Sequence, residues 1–228
     1  MSNHCAINSC DLCCHEQHSL WSELICHVPL AVVSLAFAFI FLSLTFFVGL
    51  ALPEDAVSFG YHVLFHSFHY LHIIVSVAGA ALTYFRFATS WFAGIMVALI
   101  APTFFCILSD ILLPALSGRL LGVDMEVHVC FFQLYDAINL FVFMAMGLLA
   151  GLALSKTPNS ITRIASYFHS AHTLISSMAS VFYMVAHGFD SWFESMGILF
   201  LFMFVAVILP CTLSDIVVPF YCARGIRK

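Results

Sequence analysis

Charged side chains are scarce in this sequence: Asp, Glu, Lys and Arg together make up 8% of its 228 residues, and only 7 are basic. Hydrophobic residues account for 63% of the chain, and 25 residues are phenylalanine. A typical soluble domain has about 25% charged residues. The composition therefore excludes an ordinary soluble protein and predicts an integral membrane protein, with the lipid bilayer as a partner and no nucleic acid.

Two sequence signals are also lacking. The first thirty residues have neither a basic start nor a small-residue cleavage site, so we expect no removable signal peptide. No Gly-x-x-x-x-Gly-Lys-Ser phosphate-binding loop occurs, so ATP hydrolysis would need a separate partner.

Long apolar stretches set the predicted fold class. A transmembrane helix needs about 20 mostly apolar residues. Six stretches satisfy this requirement, at residues 28–52, 62–85, 91–117, 128–154, 162–187 and 195–222. The sequence therefore predicts an all-α, polytopic membrane protein with six transmembrane helices.

Basic residues are unevenly divided between the two ends of these helices. Arg119 alone lies at one end, and the other end has Arg86, Lys156, Arg163, Arg224, Arg227 and Lys228. Since Lys and Arg near helix ends favour the cytoplasmic side, both termini are predicted to be cytoplasmic, in a plasma or inner membrane. The opposite end is acidic and would attract cations, with Glu54, Asp55, Asp124, Glu126, Asp190 and Glu194.

An internal repeat is visible in the segment CILSDILLP at Cys106 to Pro114, which recurs as CTLSDIVVP at Cys211 to Pro219. Further pairs occur in the same order: His27-Val28 with His128-Val129, the two GLAL segments, His66-Ser67-Phe68-His69 with His169-Ser170-Ala171-His172, and Ser90-Trp91-Phe92 with Ser191-Trp192-Phe193. This series predicts a tail at 1–26 and two three-helix repeats at 27–127 and 128–228. Because each repeat has an odd number of crossings, the second would be inverted relative to the first.

Histidine and aspartate are the candidate functional residues. His62, His66, His69 and His72 share one face of the second predicted helix. With the inverted topology, we expect an outer cluster of His66, His69, Asp110 and His128, and a cytoplasmic cluster of His27, His169, His172 and Asp215. His62, His72, Cys106 and Cys211 are further candidates, although each cysteine could equally be a small buried hydrophobe and each aspartate a structural helix-end residue.

Imidazole, carboxylate and thiolate together favour a first-row transition metal, here Zn, Fe, Mn or Cu. Asp136 is expected near mid-membrane, where it would pass the ion or a proton between the two clusters, or bond to the serine-rich fifth helix.

The amino-terminal tail has a second group of soft ligands, namely Cys5, Cys10, Cys13, Cys14 and His15. Reduced thiols on the cytoplasmic side would bind metal. Part of the cysteine spacing also occurs in iron-sulfur runs. The tail is interpreted as capturing or delivering metal, with an unliganded tail as the alternative.

The functional hypothesis is a transporter or channel for a transition-metal cation, working by facilitated diffusion or proton coupling, in preference to an enzyme. One alternative is a membrane metalloenzyme or haem-binding redox subunit, because intramembrane histidines also bind haem. Another is an accessory subunit of a larger complex. Gly147 and Gly151 would allow close helix packing or a homo-oligomer contact.

Overall fold

The computed structural model describes residues 20–156 and 161–226, and every regular element in these two ranges is helical. The predicted ligands of the tail lie outside the described residues; they are Cys5, Cys10, Cys13, Cys14 and His15.

Six rods of helix make up the bundle within the described ranges, and a single 3-10 turn lies at Cys130–Phe132. Four rods are single helices: α1 (Leu20–Gly49), α2 (Glu54–Phe87), α5 (Leu134–Ser155) and α6 (Ile161–Ala186). The other two are composite, each with a π-helical turn inside it: α3 (Trp91–Ile107), Leu108–Leu112 and α4 (Leu113–Leu120), then α7 (Met196–Thr212), Leu213–Val217 and α8 (Val218–Ile226).

Five of these rods are long and apolar enough to cross a membrane, among the residues that the structure describes. The remaining rod, α6, has 26 residues but contains several serines and two histidines. Large apolar side chains such as Phe47, Leu149 and Leu201 are exposed on the outer faces. An exposed apolar exterior is what lipid requires, so the prediction of an all-α integral membrane protein is confirmed.

Three predicted helix starts were wrong. The first helix begins at Leu20, eight residues earlier than expected. The second helix begins at Glu54, eight residues earlier than expected, directly after Pro53 and with Glu54 and Asp55 in its first turn. Acidic residues at a helix N-terminus are favoured by the helix dipole, which explains the extension. The fourth predicted span was placed too early, because residues 123–129 have no regular structure and α5 begins at Leu134.

The centre of the bundle is the contact between α2 and α6, and α5 packs on another side of α2. A Cβ atom added at Gly147 would lie 2.6 Å from the Ile74 carbonyl oxygen, and one at Gly151 would lie 2.8 Å from the Ala81 Cβ. These two glycines therefore allow the backbones of α5 and α2 to meet within one chain. Of the two uses predicted for the pair, the structure has intramolecular packing.

Candidate functional site

Asp110 and Asp215 each lie in a π-helical turn. In the first turn the Leu113 N–H donates to the Leu108 carbonyl, and in the second the Val218 N–H donates to the Leu213 carbonyl. Proline follows each aspartate four residues later, as Pro114 and Pro219, and has no N–H to donate to the aspartate carbonyl. The repeated Ser-Asp-Ile-x-x-Pro segment thus produces the same π-helical turn twice. Such turns inside α-helices are frequent at functional sites.

Asp110 binds two histidines of α2. Its Oδ2 atom accepts hydrogen bonds from the Nδ1 atoms of His69 at 2.8 Å and His72 at 2.7 Å, and all three side chains are fully buried. Its Oδ1 atom accepts from the hydroxyls of Ser109 at 2.8 Å and Ser176 at 3.1 Å. Four donors therefore use the full acceptor capacity of this carboxylate.

Asp215 makes the corresponding contacts with α6. Its Oδ2 atom accepts from the Nδ1 atoms of His169 and His172, both at 3.0 Å. Asp215 and His172 are buried, and the side chain of His169 is only 10% exposed. Each aspartate thus holds two histidines that lie one helical turn apart.

The two His-His-Asp groups meet inside the bundle. The ring centroids of His72 and His172 are 4.5 Å apart. The Sγ atom of Cys106 lies 3.6 Å from Nε2 of His72, and one ligand atom from each of His72, Cys106 and His172 lies within 4.8 Å of the other two. We call this set the central cluster; its members are His69, His72, Cys106, Asp110, His169, His172 and Asp215.

The histidine tautomers follow from these contacts. A carboxylate can only accept, so each Nδ1 carries a proton, and in the neutral imidazole each Nε2 then presents a lone pair. The Nε2 atoms of His69, His169 and His172 are buried and have no hydrogen-bond partner among the described residues. An unmade hydrogen bond in a buried site costs about 1–3 kcal/mol. A carboxylate on one ring nitrogen and an open lone pair on the other is the arrangement of metal-binding histidines in proteins.

A second group of ligands lies towards the start of α2 and α5. Single donor atoms from His66, His128, Cys130 and Asp136 all lie within 4.8 Å of one another. We call these residues the four-donor cluster. Cys130 is fully buried, whereas the side chains of His128 and Asp136 are 20% and 18% exposed.

His187 adjoins the four-donor cluster at the end of α6. Its ring lies 5.9 Å from the His128 ring and 5.0 Å from the His62 ring. Burial lowers the pKa of His187 to about 4, and the neighbouring His62 and His128 act in the same direction. His187 is therefore neutral at pH 7.

Aromatic and histidine rings lie between the four-donor cluster and the central cluster, and also beyond the central cluster. Phe65 is fully buried and separates the clusters, with its ring centroid 4.9 Å from that of His66 and 5.5 Å from that of His69. Beyond the central cluster, the His27 ring meets the His169 ring at 4.2 Å.

The predicted grouping of site residues needs three corrections. First, His66 and His128 do not join Asp110; the partners of Asp110 are His69 and His72, one turn further along α2. The match between the HSFH and HSAH segments aligned His66 with His169. In the structure the counterpart of His169 is His69, one helical turn further along α2. Second, one histidine group was expected in each leaflet. In the structure the groups held by Asp110 and Asp215 are in contact.

The third correction concerns Asp136, which was expected at mid-membrane between the clusters. It lies in the first turn of α5, because that helix begins six residues later than predicted. There it accepts hydrogen bonds from the Tyr70 hydroxyl at 3.2 Å and from Nε2 of His128 at 3.1 Å. Cys211 is buried, but it belongs to neither group of possible ligand atoms.

Sequence reasoning missed Cys130 and His187. Both lie at the edges of predicted spans, Cys130 in 128–154 and His187 in 162–187, and neither was singled out there as a candidate ligand. Cys130 begins a single 3-10 turn, Cys130–Phe132, two residues after His128, and this His-x-Cys spacing was the available signal.

Comparisons with known proteins found no matching family model, no matching curated protein and no matching solved structure.

Proposed function

We propose that this protein transports a transition-metal cation across a membrane, with the central cluster as its ion-binding site. The observation that carries the proposal is the set of buried histidines whose Nδ1 atoms are held by aspartate, while their Nε2 atoms have no partner among the described residues. Imidazole and thiolate ligands favour Zn, Cu or Fe, and Mn is the member of the expected set that they suit least.

The number of donors favours a site that exchanges its ion. His72, Cys106 and His172 supply three donor atoms in mutual reach. Three protein donors leave at least one coordination position of a tetrahedral ion open. An ion held this way is able to enter and leave by ligand replacement, which transport requires.

If the two halves of the chain form an inverted repeat, the ion paths from the two membrane faces are equivalent and meet at this site. Contacts between the halves are reciprocal: Ser76 of α2 bonds to Ser214 beside Asp215 at 2.8 Å, and Ser176 of α6 bonds to Ser109 beside Asp110 at 3.4 Å. Such reciprocal contacts support two related units with their axis near His72 and His172. Binding at the interface of inverted repeats near the bilayer midplane is common in secondary transporters.

The same proposal includes the orientation of the chain. Exposed acidic residues lie in the connections at one end of the bundle; they are Glu54, Asp55, Asp124, Glu126, Asp190 and Glu194. With both termini cytoplasmic, this acidic end faces outward and raises the local concentration of cations. The four-donor cluster lies towards this end.

The test is uptake of Zn²⁺, Cu⁺, Fe²⁺ and Mn²⁺ into proteoliposomes by the full-length chain. His72→Asn places an amide N–H near the position of Nδ1, so the bond to Asp110 can be kept while the Nε2 donor is removed. We expect this variant to fold and to lose most uptake. His62→Asn is the matched control, since His62 lies on the same helix but outside both clusters. Normal uptake by the His72→Asn variant would exclude the central cluster as the transport site.

A membrane metalloenzyme is the second candidate, because aspartate-supported histidine ligands with an open position also suit metal catalysis. The 4.5 Å separation of the His72 and His172 rings leaves no room for a porphyrin between them without movement of α2 or α6. A strong Soret band in the purified protein, with no metal uptake in proteoliposomes, would favour the haem-binding alternative over transport.

A further inference from the structure

The four-donor cluster has a different composition from the central cluster. It combines two imidazoles, one thiol and one carboxylate, from His66, His128, Cys130 and Asp136. Four protein donors complete a tetrahedral shell, and closed shells of this kind are typical of structural zinc sites. We propose that the four-donor cluster binds a resident Zn²⁺ ion that is not the transported ion.

The distances are compatible with zinc. Tetrahedral Zn²⁺ with bonds of about 2.0–2.3 Å has donor atoms roughly 3.3–3.8 Å apart. Nε2 of His128 and Oδ2 of Asp136 are already 3.1 Å apart, and all four donor atoms lie within 4.8 Å of one another. Contraction of the remaining pairs by about 1 Å would complete the shell, which side-chain rotation can provide.

Charge balance also favours a divalent ion at this position. A Cys130 thiolate and an Asp136 carboxylate supply two negative charges, and two neutral imidazoles supply none. With Zn²⁺ the site has no net charge, which lowers the cost of placing it in a partly buried environment. Binding would release the proton of the Cys130 thiol.

Neighbouring groups already orient the donors. Nδ1 of His66 donates to the His62 carbonyl at 2.9 Å, so its Nε2 presents a lone pair. The Tyr70 hydroxyl donates to Oδ1 of Asp136 at 3.2 Å, which leaves Oδ2 on the side of His128. With zinc on Nε2 of His128, the proton that Nε2 donates to Asp136 moves to Nδ1, which lies 3.4 Å from the Gln133 amide and would donate to its carbonyl oxygen once that amide rotates. These contacts are the outer hydrogen bonds that metal ligands in proteins usually have.

The location of the donors indicates what the ion does. His128 and Cys130 lie in the connection between α4 and α5, Asp136 lies in the first turn of α5, and only His66 comes from α2. Residues 123–129 have no regular secondary structure to hold them. A zinc ion would therefore fasten this connection to α2. This role does not depend on transport by the central cluster.

The experiment uses the full-length chain with Cys5, Cys10, Cys13 and Cys14 changed to serine, so that thiolates of the tail cannot bind the probe. The protein is stripped with chelator, and separate samples are titrated with Zn²⁺ and with Co²⁺. We expect Cys130→Ser to lose one equivalent of Zn²⁺ per chain, together with a thiolate-to-Co²⁺ absorption band. Cys222→Ser and His62→Gln should retain both. If the Cys130→Ser protein keeps its full zinc content, the proposal is wrong.

Thermal unfolding provides a measurement on protein with all four donors intact. Zinc at about 100 times its dissociation constant should raise the unfolding midpoint by on the order of 5 °C. His128→Gln should sharply reduce this rise and His62→Gln should not. An equal rise in the His128→Gln protein would contradict the site even if Cys130→Ser fails to fold.

Isotopic labelling separates a resident ion from a transported one. Zinc of one isotope is loaded at one equivalent, and a second isotope is then supplied for uptake by proteoliposomes. Retention of the first isotope over many turnovers supports a resident ion, and rapid replacement overturns that role. If uptake is absent but one zinc per chain still depends on Cys130, the resident site stands and the proposed transport function fails.

Discussion

Replacing Asp110 by asparagine removes the charge from the central cluster and keeps the shape. In the structure Oδ2 of Asp110 accepts bonds from His69 and His72, and Oδ1 accepts from two serine hydroxyls. The amide oxygen of asparagine can still accept from both histidines, and hydroxyls can rotate to accept from the amide nitrogen. We therefore expect the Asp110→Asn protein to fold.

The expected loss is in metal affinity. Hydrogen bonds to a charged group contribute about 1.5–3 kcal/mol and neutral ones about 0.5–1.5 kcal/mol, so each histidine bond weakens by about 1 kcal/mol. Two bonds give about 2 kcal/mol, or roughly a 30-fold rise in the dissociation constant of the central ion. The same value falls within the 10–100-fold losses typical of mutating groups that support metal ligands.

Competition with a chromogenic chelator measures this affinity, in a Cys130→Ser background so that the four-donor cluster does not contribute. Asp110→Leu is the contrasting variant, because it leaves two buried Nδ1–H donors without an acceptor and should destabilise the fold by about 1–3 kcal/mol for each. Unchanged affinity in the Asp110→Asn protein would refute the assignment of His69 and His72 as metal ligands supported by this carboxylate.

Three further predictions concern topology and packing. A reporter at the carboxyl terminus should be cytoplasmic while residues 53–60 label from the other side, and labelling of both from one side would contradict the inverted repeat. Gly151→Ala should destabilise the protein by about 1–3 kcal/mol, since its Cβ would lie 2.8 Å from that of Ala81. Gly60→Ala, with nothing within 4 Å, should instead stabilise α2 by about 0.5–1 kcal/mol in the same thermal assay. Tyr183→Phe removes the 2.8 Å bond to the Glu126 carbonyl and should lower the free energy of unfolding by about 1–3 kcal/mol, measured by denaturation in detergent.

Composition and apolar length predicted the class of this fold because a bilayer imposes a minimum span on each helix. The repeated Ser-Asp-Ile-x-x-Pro segment also identified Asp110 and Asp215 as related residues, since buried carboxylates in apolar helices are rare. Both features are properties of single helices, which a sequence displays directly.

The histidine partners were harder to predict because they depend on how helices are placed beside one another. The HSFH and HSAH match aligned His66 with His169, but the structure gives Asp110 the pair His69 and His72. A shift of one turn between neighbouring helices leaves the helical periodicity of each one unchanged, so nothing in the single-helix pattern reports it. Cys130 was missed because it lies in a single 3-10 turn between α4 and α5, which is too short to show a periodicity.

The polar character of α6 has a consequence for how the protein is made. This helix is as long as the others, yet it is not among the five that are apolar enough to span a membrane on their own among the described residues. Its serines and histidines find partners on other helices, as when Ser180 donates to the Ser109 carbonyl at 3.0 Å. Entry of α6 into lipid alone would leave those groups unsatisfied, at several kcal/mol for each. We therefore expect newly synthesised α6 to leave the translocon for the bilayer only by packing against α2 and α3, which are made before it, and a chain from which α2 and α3 are deleted to leave α6 outside the bilayer.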